Sequence, residues 1–213
     1  MREDNLFEFN FNFGDDKTIE EAPLKTKQHT RRKNALLERS YQHIYKRAHS
    51  ELQLLNSLDD KKLKKGYSYS YITSGDVDAL SFLMLAMRTY KELDYLLVST
   101  WCISNEDILY LFELIEQKKI KRLDIYVGEI FPGSYKVEWK LIKELYEKHQ
   151  CGHIKVFKNH SKIMAGIIGG NGFSIQSSAN INTNPRTEQA CIINNLESAL
   201  FYKDYFDGII SFE

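Results

Sequence analysis

No stretch of this sequence approaches the ~18 consecutive apolar residues that a membrane-spanning helix needs, so the chain carries no candidate for one. The first residues, MREDNLFEFNFNFGDD, are acidic and lack the apolar segment of a secretory signal, and a cytoplasmic location is expected. Cysteine is scarce: Cys102, Cys151 and Cys191 form an odd set with no CxxC spacing. That argues against a disulfide framework and for reduced, buried thiols. Cys151 and His153 stand close enough to begin a metal site, but no partner pair follows at a suitable spacing, and no acidic cluster offers to hold an ion. No metal and no cofactor are therefore expected. Nor does either sign of charge predominate, with 29 Lys and Arg against 29 Asp and Glu.

The zero balance conceals an asymmetry. Residues 1–22 hold seven acids and two bases, residues 23–65 twelve bases and four acids, and the rest 18 acids and 15 bases. The segments thus carry −5, +8 and −3. A basic block beside a near-neutral body fits either a solvated helix face or contact with a polyanion.

The hydrophobic pattern divides the chain in the same way. Leu36, Leu37, Ile44, Tyr45, Ala48, Leu52 and Leu55 recur at three- and four-residue steps, predicting an amphipathic helix over about 30–58. Its other face would present Arg31, Arg32, Arg39, Lys46 and Arg47 to a nucleic-acid backbone. An acidic leader (1–22) precedes it, and Asp59-Asp60-Lys61-Lys62 marks an exposed break. From residue 66 a strand–helix rhythm begins. Strands are expected over 67–74, 94–104 and 122–131, helices over 75–93, 106–120 (capped by Asn105) and 134–150, and a closing strand and helix from 188. Gly169-Gly170-Asn171-Gly172 joins two further strands as a hairpin. The expectation is an N-terminal extension, 1–65, followed by an α/β domain, 66–213, with a mixed, largely parallel sheet flanked by helices.

The chemistry gathers around that hairpin, in NHSKIMAGIIGGNGFSIQSSANINTNPRTEQ (159–189). Residues two apart on a strand point the same way, so His160 and Lys162 share one side and Ser178 and Asn180 another. Folded back on the turn, the two pairs meet. An imidazole beside an ammonium, a hydroxyl and an amide suits a phosphate: one nucleophile, and three donors for the non-bridging oxygens. A hydrogen bond between Glu188 and a histidine ring nitrogen would fix the tautomer.

These residues resemble the signature of the phospholipase D superfamily: His-x-Lys, four residues, Asp, then Gly/Ser-Ser-x-Asn and a downstream Glu. His160 and Lys162 match the first pair, Ser178 and Asn180 the second, and Glu188 the acid. SGDVDALSFL, STWCISNEDI, LDIYVGEIF and FYKDYFDGI add to the likeness, which is to the bacterial and phage-borne phospholipase D-like nucleases with one motif per chain. It covers roughly residues 66–213. The sequence departs from the pattern at one place: the aspartate would fall at position 167, which is Ile167, and no acid lies between Lys162 and Glu188.

The resemblance implies a phospholipase D-like fold and a phosphodiesterase, with His160, Lys162, Ser178, Asn180 and Glu188 as its catalytic set. Such chemistry needs two histidines, one to attack phosphorus and one to protonate the leaving oxygen. One His-x-Lys per chain therefore predicts a homodimer with the site on its two-fold axis. No interfacial apolar segment points to a lipid surface, while the basic block suits DNA or RNA, so a nonspecific endonuclease is the expected function. A non-catalytic nucleic-acid-binding or scaffold protein with a degenerate site, and a lipid phosphodiesterase, are the alternatives.

Overall fold

Two runs, YLLVS and LDIYVG, are almost wholly apolar, and a strand can hold such a run only where both its faces are covered. They form adjacent parallel strands, β2 (Tyr95–Ser99) and β3 (Leu123–Gly128), in which every residue is buried. The computed structural model describes residue 47 and residues 49–58, 61–74, 77–181 and 186–212. These lie within a compact unit spanning Tyr41–Glu213. The acidic leader and Arg31, Arg32, Arg39 and Lys46 fall outside the described residues.

The other strands are β1 (Ser68–Thr73), β4 (Gly152–Phe157), β5 (Ile163–Ile168), β6 (Asn171–Ser177) and β7 (Glu188–Ile193). All seven join one sheet in the order β1-β7-β6-β5-β2-β3-β4. Only β2–β3 and β3–β4 pair in parallel; the other four pairings are antiparallel. The mixed α/β architecture agrees with the expectation, but the sheet is mostly antiparallel rather than largely parallel. The cause lies in the connections. Parallel neighbours need a helical crossover, and these stop at β4. Thereafter a short loop, a tight hairpin and a return strand reverse the chain each time.

The helices α2 (Ala79–Tyr90), α3 (Asn105–Glu116) and α5 (Lys136–His149) cover one face of the sheet. Leu96, Val98, Ile125 and Val127 share one core with them. A single turn, α4 (Phe131–Ser134), leads into α5. The helix α6 (Leu196–Asp207) packs on the opposite face, where Ala199 and Phe206 meet Tyr95, Leu97, Tyr126 and Ala165. The edge of β4 is occupied by the C-terminal tail: the Phe212 amide donates to the Val156 carbonyl at 2.8 Å, and the Val156 amide to Ser211 Oγ at 3.0 Å. That blunts one sheet edge. No described helix is long and apolar enough to cross a membrane.

Arg47 shows how tertiary contacts override periodicity. Residues 47 and 49–56 are helical (α1), but the face they bury is not the one the spacing of leucines suggests. Arg47, Ser50, Glu51 and Leu54 are buried, whereas Leu52 is 51% exposed. The Arg47 guanidinium donates to Asp107 and, at 3.2 Å, to Asp78, and it lies 4.9 Å from the centre of the Tyr110 ring. Burial pulls its pKa down, and the two carboxylates more than offset this. Both acids stand at helix starts: Asp78 caps α2, accepting from the Ser81 amide, and Asp107 lies in the first turn of α3. Arg47 thus ties α1 to two helix N-termini, and a guanidinium so placed is not available to a phosphate backbone. The expected nucleic-acid role of Arg47 is replaced by a structural one. Leu54, Leu58 and Leu63 belong to the same core as the sheet, so this part of the presumed extension packs with the domain assigned to 66–213.

Candidate active site

The stretch leading into the hairpin, read as a single strand that carries His160 and Lys162, is two strands, β4 and β5. Between β4 and β5, residues 158–162 leave the sheet edge and cross over the C-terminal ends of β3 and β2 before β5 begins beside Ser99. His160 and Lys162 therefore sit on a crossover loop rather than a strand. In an open α/β sheet, ligands bind at the carboxyl ends of the strands where the connectivity changes direction, and this loop occupies such a place.

Asn159 holds the loop down. Its buried carboxamide donates to Ser99 Oγ at 2.9 Å and to the Tyr126 carbonyl at 3.1 Å, while its oxygen accepts from the Ser161 amide at 2.9 Å and Ser161 Oγ at 2.7 Å. Ser99 Oγ and Ser161 Oγ are themselves 2.6 Å apart. With Asn159 and Ser161 turned inward, His160 and Lys162 are left on the outer side together. Lys162 Nζ lies 3.0 Å from His160 Nδ1 and donates to the His160 carbonyl at 2.6 Å. Ammonium and imidazole thus border the same few ångströms of solvent.

The second half of the site is brought up by β6 and β7. The Ser177 amide donates to the Lys162 carbonyl at 3.0 Å, which sets the end of β6 against the start of β5. Ser178 follows, and its hydroxyl donates to the Glu188 carboxylate at the start of β7. Glu188, expected against the histidine ring, thus takes Ser178 as a partner. Burial pulls the Lys162 pKa below its ordinary value, while Cys102 and Glu188 act to raise it. The Ser177–Lys162 backbone contact is what brings the two halves together. Asn180 Oδ1 accepts from the Trp101 amide at 3.3 Å and from Thr100 Oγ1 at 3.5 Å. With its oxygen committed to the end of β2, its amide nitrogen is the donor left for an anion.

Three neighbours escaped the sequence reading. Trp101 tilts over His160 with ring centres 5.8 Å apart. Gly128 makes room for it: a Cβ there would lie 2.7 Å from Trp101 Cδ1 and 3.0 Å from the Asn159 carbonyl oxygen. Gly128→Ala should therefore displace both the indole and the crossover. A misplacement of about 1 Å costs on the order of a hundredfold in kcat, and kinetics on a small phosphodiester, with circular dichroism as the fold control, would show it; an unchanged kcat would mean the loop tolerates the methyl. Cys102 is the third neighbour. Burial raises its thiol pKa in spite of nearby Lys162, which makes it a packing residue rather than a second nucleophile. The polar break in DYLLVSTWC, where a buried strand ends, was the signal for Trp101 and Cys102, and the end of the apolar run LDIYVG that for Gly128.

Ile167 belongs to another part of the domain. It pairs with Tyr95 and packs into the cluster beneath α6. Five extended residues, at ~3.3 Å each, separate it from Lys162 by about 16 Å. An aspartate at this position would not reach the histidine.

The sheet, its crossover and the helices on both faces make a mixed α/β fold. No family model matches the chain, and no curated protein matches it. Among solved structures, polyphosphate kinase from Porphyromonas gingivalis is similar in fold, with a TM-score of 0.51 and 15% identity over 68% of this chain and 26% of the kinase. The chain thus spans about a quarter of that protein. The archaeal chromatin protein TrmBL2 aligns over 85% of this chain and 66% of its own, at 12% identity and a TM-score of 0.46. Phosphatidylserine synthase from Haemophilus influenzae Rd KW20 aligns over 66% and 37%, at 13% identity and a TM-score of 0.44.

Proposed function

We propose that the protein is a phosphodiesterase that hydrolyses nucleic-acid phosphodiester bonds, acting as a nonspecific endonuclease through a phosphohistidine. The observation that carries this reading is the convergence of Lys162 on the exposed His160 ring, with the Ser178–Glu188 pair and Asn180 on adjoining walls.

In the proposed cycle a ring nitrogen of one His160 attacks phosphorus, and the bond from phosphorus to the leaving oxygen breaks. The His160 of a second copy gives that oxygen its proton. It then takes a proton from water, whose oxygen attacks the phosphohistidine and restores the first imidazole. Lys162 and Asn180 from both copies hold the non-bridging oxygens as charge builds on them. Ser178 gives its single hydroxyl proton to Glu188 and accepts from the Gln189 amide, so it assists by holding the Glu188 carboxylate at the end of β6. Every charge and proton role is filled by a side chain.

The purified chain should therefore nick plasmid DNA in excess EDTA and, quenched during turnover of a labelled substrate, carry an acid-labile phosphohistidine. Absence of cleavage on DNA, RNA and a small activated diester would leave a binding module with a decayed site. Preference for lipid headgroups over nucleic acid would leave a lipid phosphodiesterase.

The basic block from 23 to 65 is assigned to the nucleic-acid backbone through Arg31, Arg32, Arg39 and Lys46. Each phosphate contact adds roughly 0.9 to the slope of log affinity against log salt on duplex DNA. Replacing these four by alanine should flatten that slope by about 3–4 if all four touch phosphates. Filter binding across a salt series measures it, and an unchanged slope would make the block structural.

A further inference from the structure

The segments that follow β2 and β3 carry more aromatic surface than the core takes in. Both tryptophans of the chain, Trp101 and Trp139, lie there, with Tyr135 between them in sequence. All three are only partly buried and pack against the margin of the main core. Ile130 and Val137, on the same segments, are exposed as well. Aromatic rings present the largest flat apolar surface of any side chain, and several of them left half in water at one end of a sheet mark a binding surface.

Trp101 stands just after β2, with its ring centre 5.8 Å from that of His160. Its Cδ1 edge rests on the end of β3, where Gly128 has no side chain to hold it off. Three residues beyond Gly128, α4 begins with the buried Phe131, and Tyr135 stacks on that ring at 5.2 Å and 18°. The Tyr135 hydroxyl also hydrogen-bonds the thiol of Cys102, the neighbour of Trp101 in sequence. Trp139 follows on α5, edge-on to Phe131 at 6.4 Å. Lys143 Nζ lies 5.4 Å from the centre of the Trp139 ring, and Lys136 is exposed beside Tyr135. A row of rings thus begins at the candidate nucleophile and ends among ammonium groups.

We infer that Trp101 and Tyr135 form a base-stacking subsite, and that the substrate is an unpaired nucleic-acid strand whose bases beside the scissile phosphate lie on these rings. Every base has a π-face, so such contacts hold a strand without reading its sequence. In a duplex those faces are already taken by neighbouring bases, and the rings have nothing to receive. Lys136 and Lys143 supply the positive charge that tracks a backbone away from the reacting phosphate. A negatively supercoiled plasmid, whose duplex opens readily, still offers such a strand; a relaxed linear duplex does not. The inference rests on the phosphodiesterase reading above for the position of the scissile bond, and it adds the form of strand that the site accepts.

Fluorescence titration of the full chain carrying His160→Ala tests it, because both tryptophans report on the row and no cleavage intervenes. The probes are oligothymidylate and a hairpin duplex with the same number of phosphates. The single strand should quench the emission and bind at least about tenfold more tightly than the hairpin. Adding Trp101→Ala or Tyr135→Ala should weaken single-strand binding by roughly 5- to 150-fold, the range of one stacked base, with the salt slope unchanged. Tyr135→Phe keeps the ring and should bind as its parent does, which separates stacking from the hydroxyl's contact with Cys102 and from a folding defect. Equal affinity for the two probes, or affinity untouched in both alanine variants, overturns the inference even where wild type nicks plasmid as proposed. So does a failure to bind either probe. Binding to phosphatidylcholine vesicles in place of oligonucleotide also overturns it, and would make the rings a cage for a quaternary ammonium. Should ring-dependent binding of the single strand appear while wild type cleaves nothing, the subsite stands and the phosphodiesterase reading fails.

Discussion

Replacing His160 with alanine is expected to lower EDTA-resistant cleavage by on the order of 10⁴-fold or more, because in the proposed cycle it removes the nucleophile from one copy and the general acid from the other. The imidazole is exposed, and the fold of its loop depends on Asn159 and Ser161 rather than on the ring. The variant should therefore melt like wild type, separating loss of chemistry from loss of structure. A residual rate within tenfold of wild type would sink the mechanism. Mixed dimers sharpen the test. If each catalytic centre draws one histidine from each copy, randomly mixed wild-type and His160→Ala chains retain activity as the square of the wild-type fraction. A linear decline would mean that each chain works alone.

The second large effect is on stability. Arg47→Ala leaves Asp78 and Asp107 facing each other without the guanidinium that bridges them, and breaking a buried pair of this kind costs about 3–5 kcal/mol. For a domain of this size that lowers the melting temperature by roughly 10 °C. Arg47→Lys should recover only part of the loss, since a single ammonium lacks the fork that reaches both carboxylates. Thermal denaturation followed by circular dichroism decides the matter. A drop of only a degree or two in Arg47→Ala would show that the pair contributes little beyond its own desolvation.

These two residues also show what the sequence reveals and what it hides. His160 and Lys162 are legible because their chemistry is local: two polar groups two residues apart end on the same side whether the backbone is a strand or, as here, a crossover. The strand–helix rhythm is legible for the same reason, with boundaries close to those expected for β1, α2 and α5. Arg47 reads as one more base on a basic face because its partners lie 31 and 60 residues away in sequence. The direction of the later strands was hidden too, since apolar alternation fixes a strand but not the sense of its neighbour. Trp101 and Gly128 join the site only because two strand ends lie under one loop, a matter of strand order that no local pattern carries.

The hairpin gives the spacing of the motif a different meaning. Its turn, Gly169–Gly170, lies at the far end of β5 and β6 from His160 and Ser178, and its tip is tied to Asp94 by the Gly169 amide at 2.8 Å. The two strands therefore act as a ladder of adjustable height with the chemistry at its foot. Residues added in pairs at the tip would lengthen the ladder by whole rungs, keep every side chain on its face and leave the foot where it is. The sequence distance between His-x-Lys and Ser-x-Asn measures the height of the ladder, not the width of the proposed phosphate site, and chains of different spacing can share one arrangement at the foot.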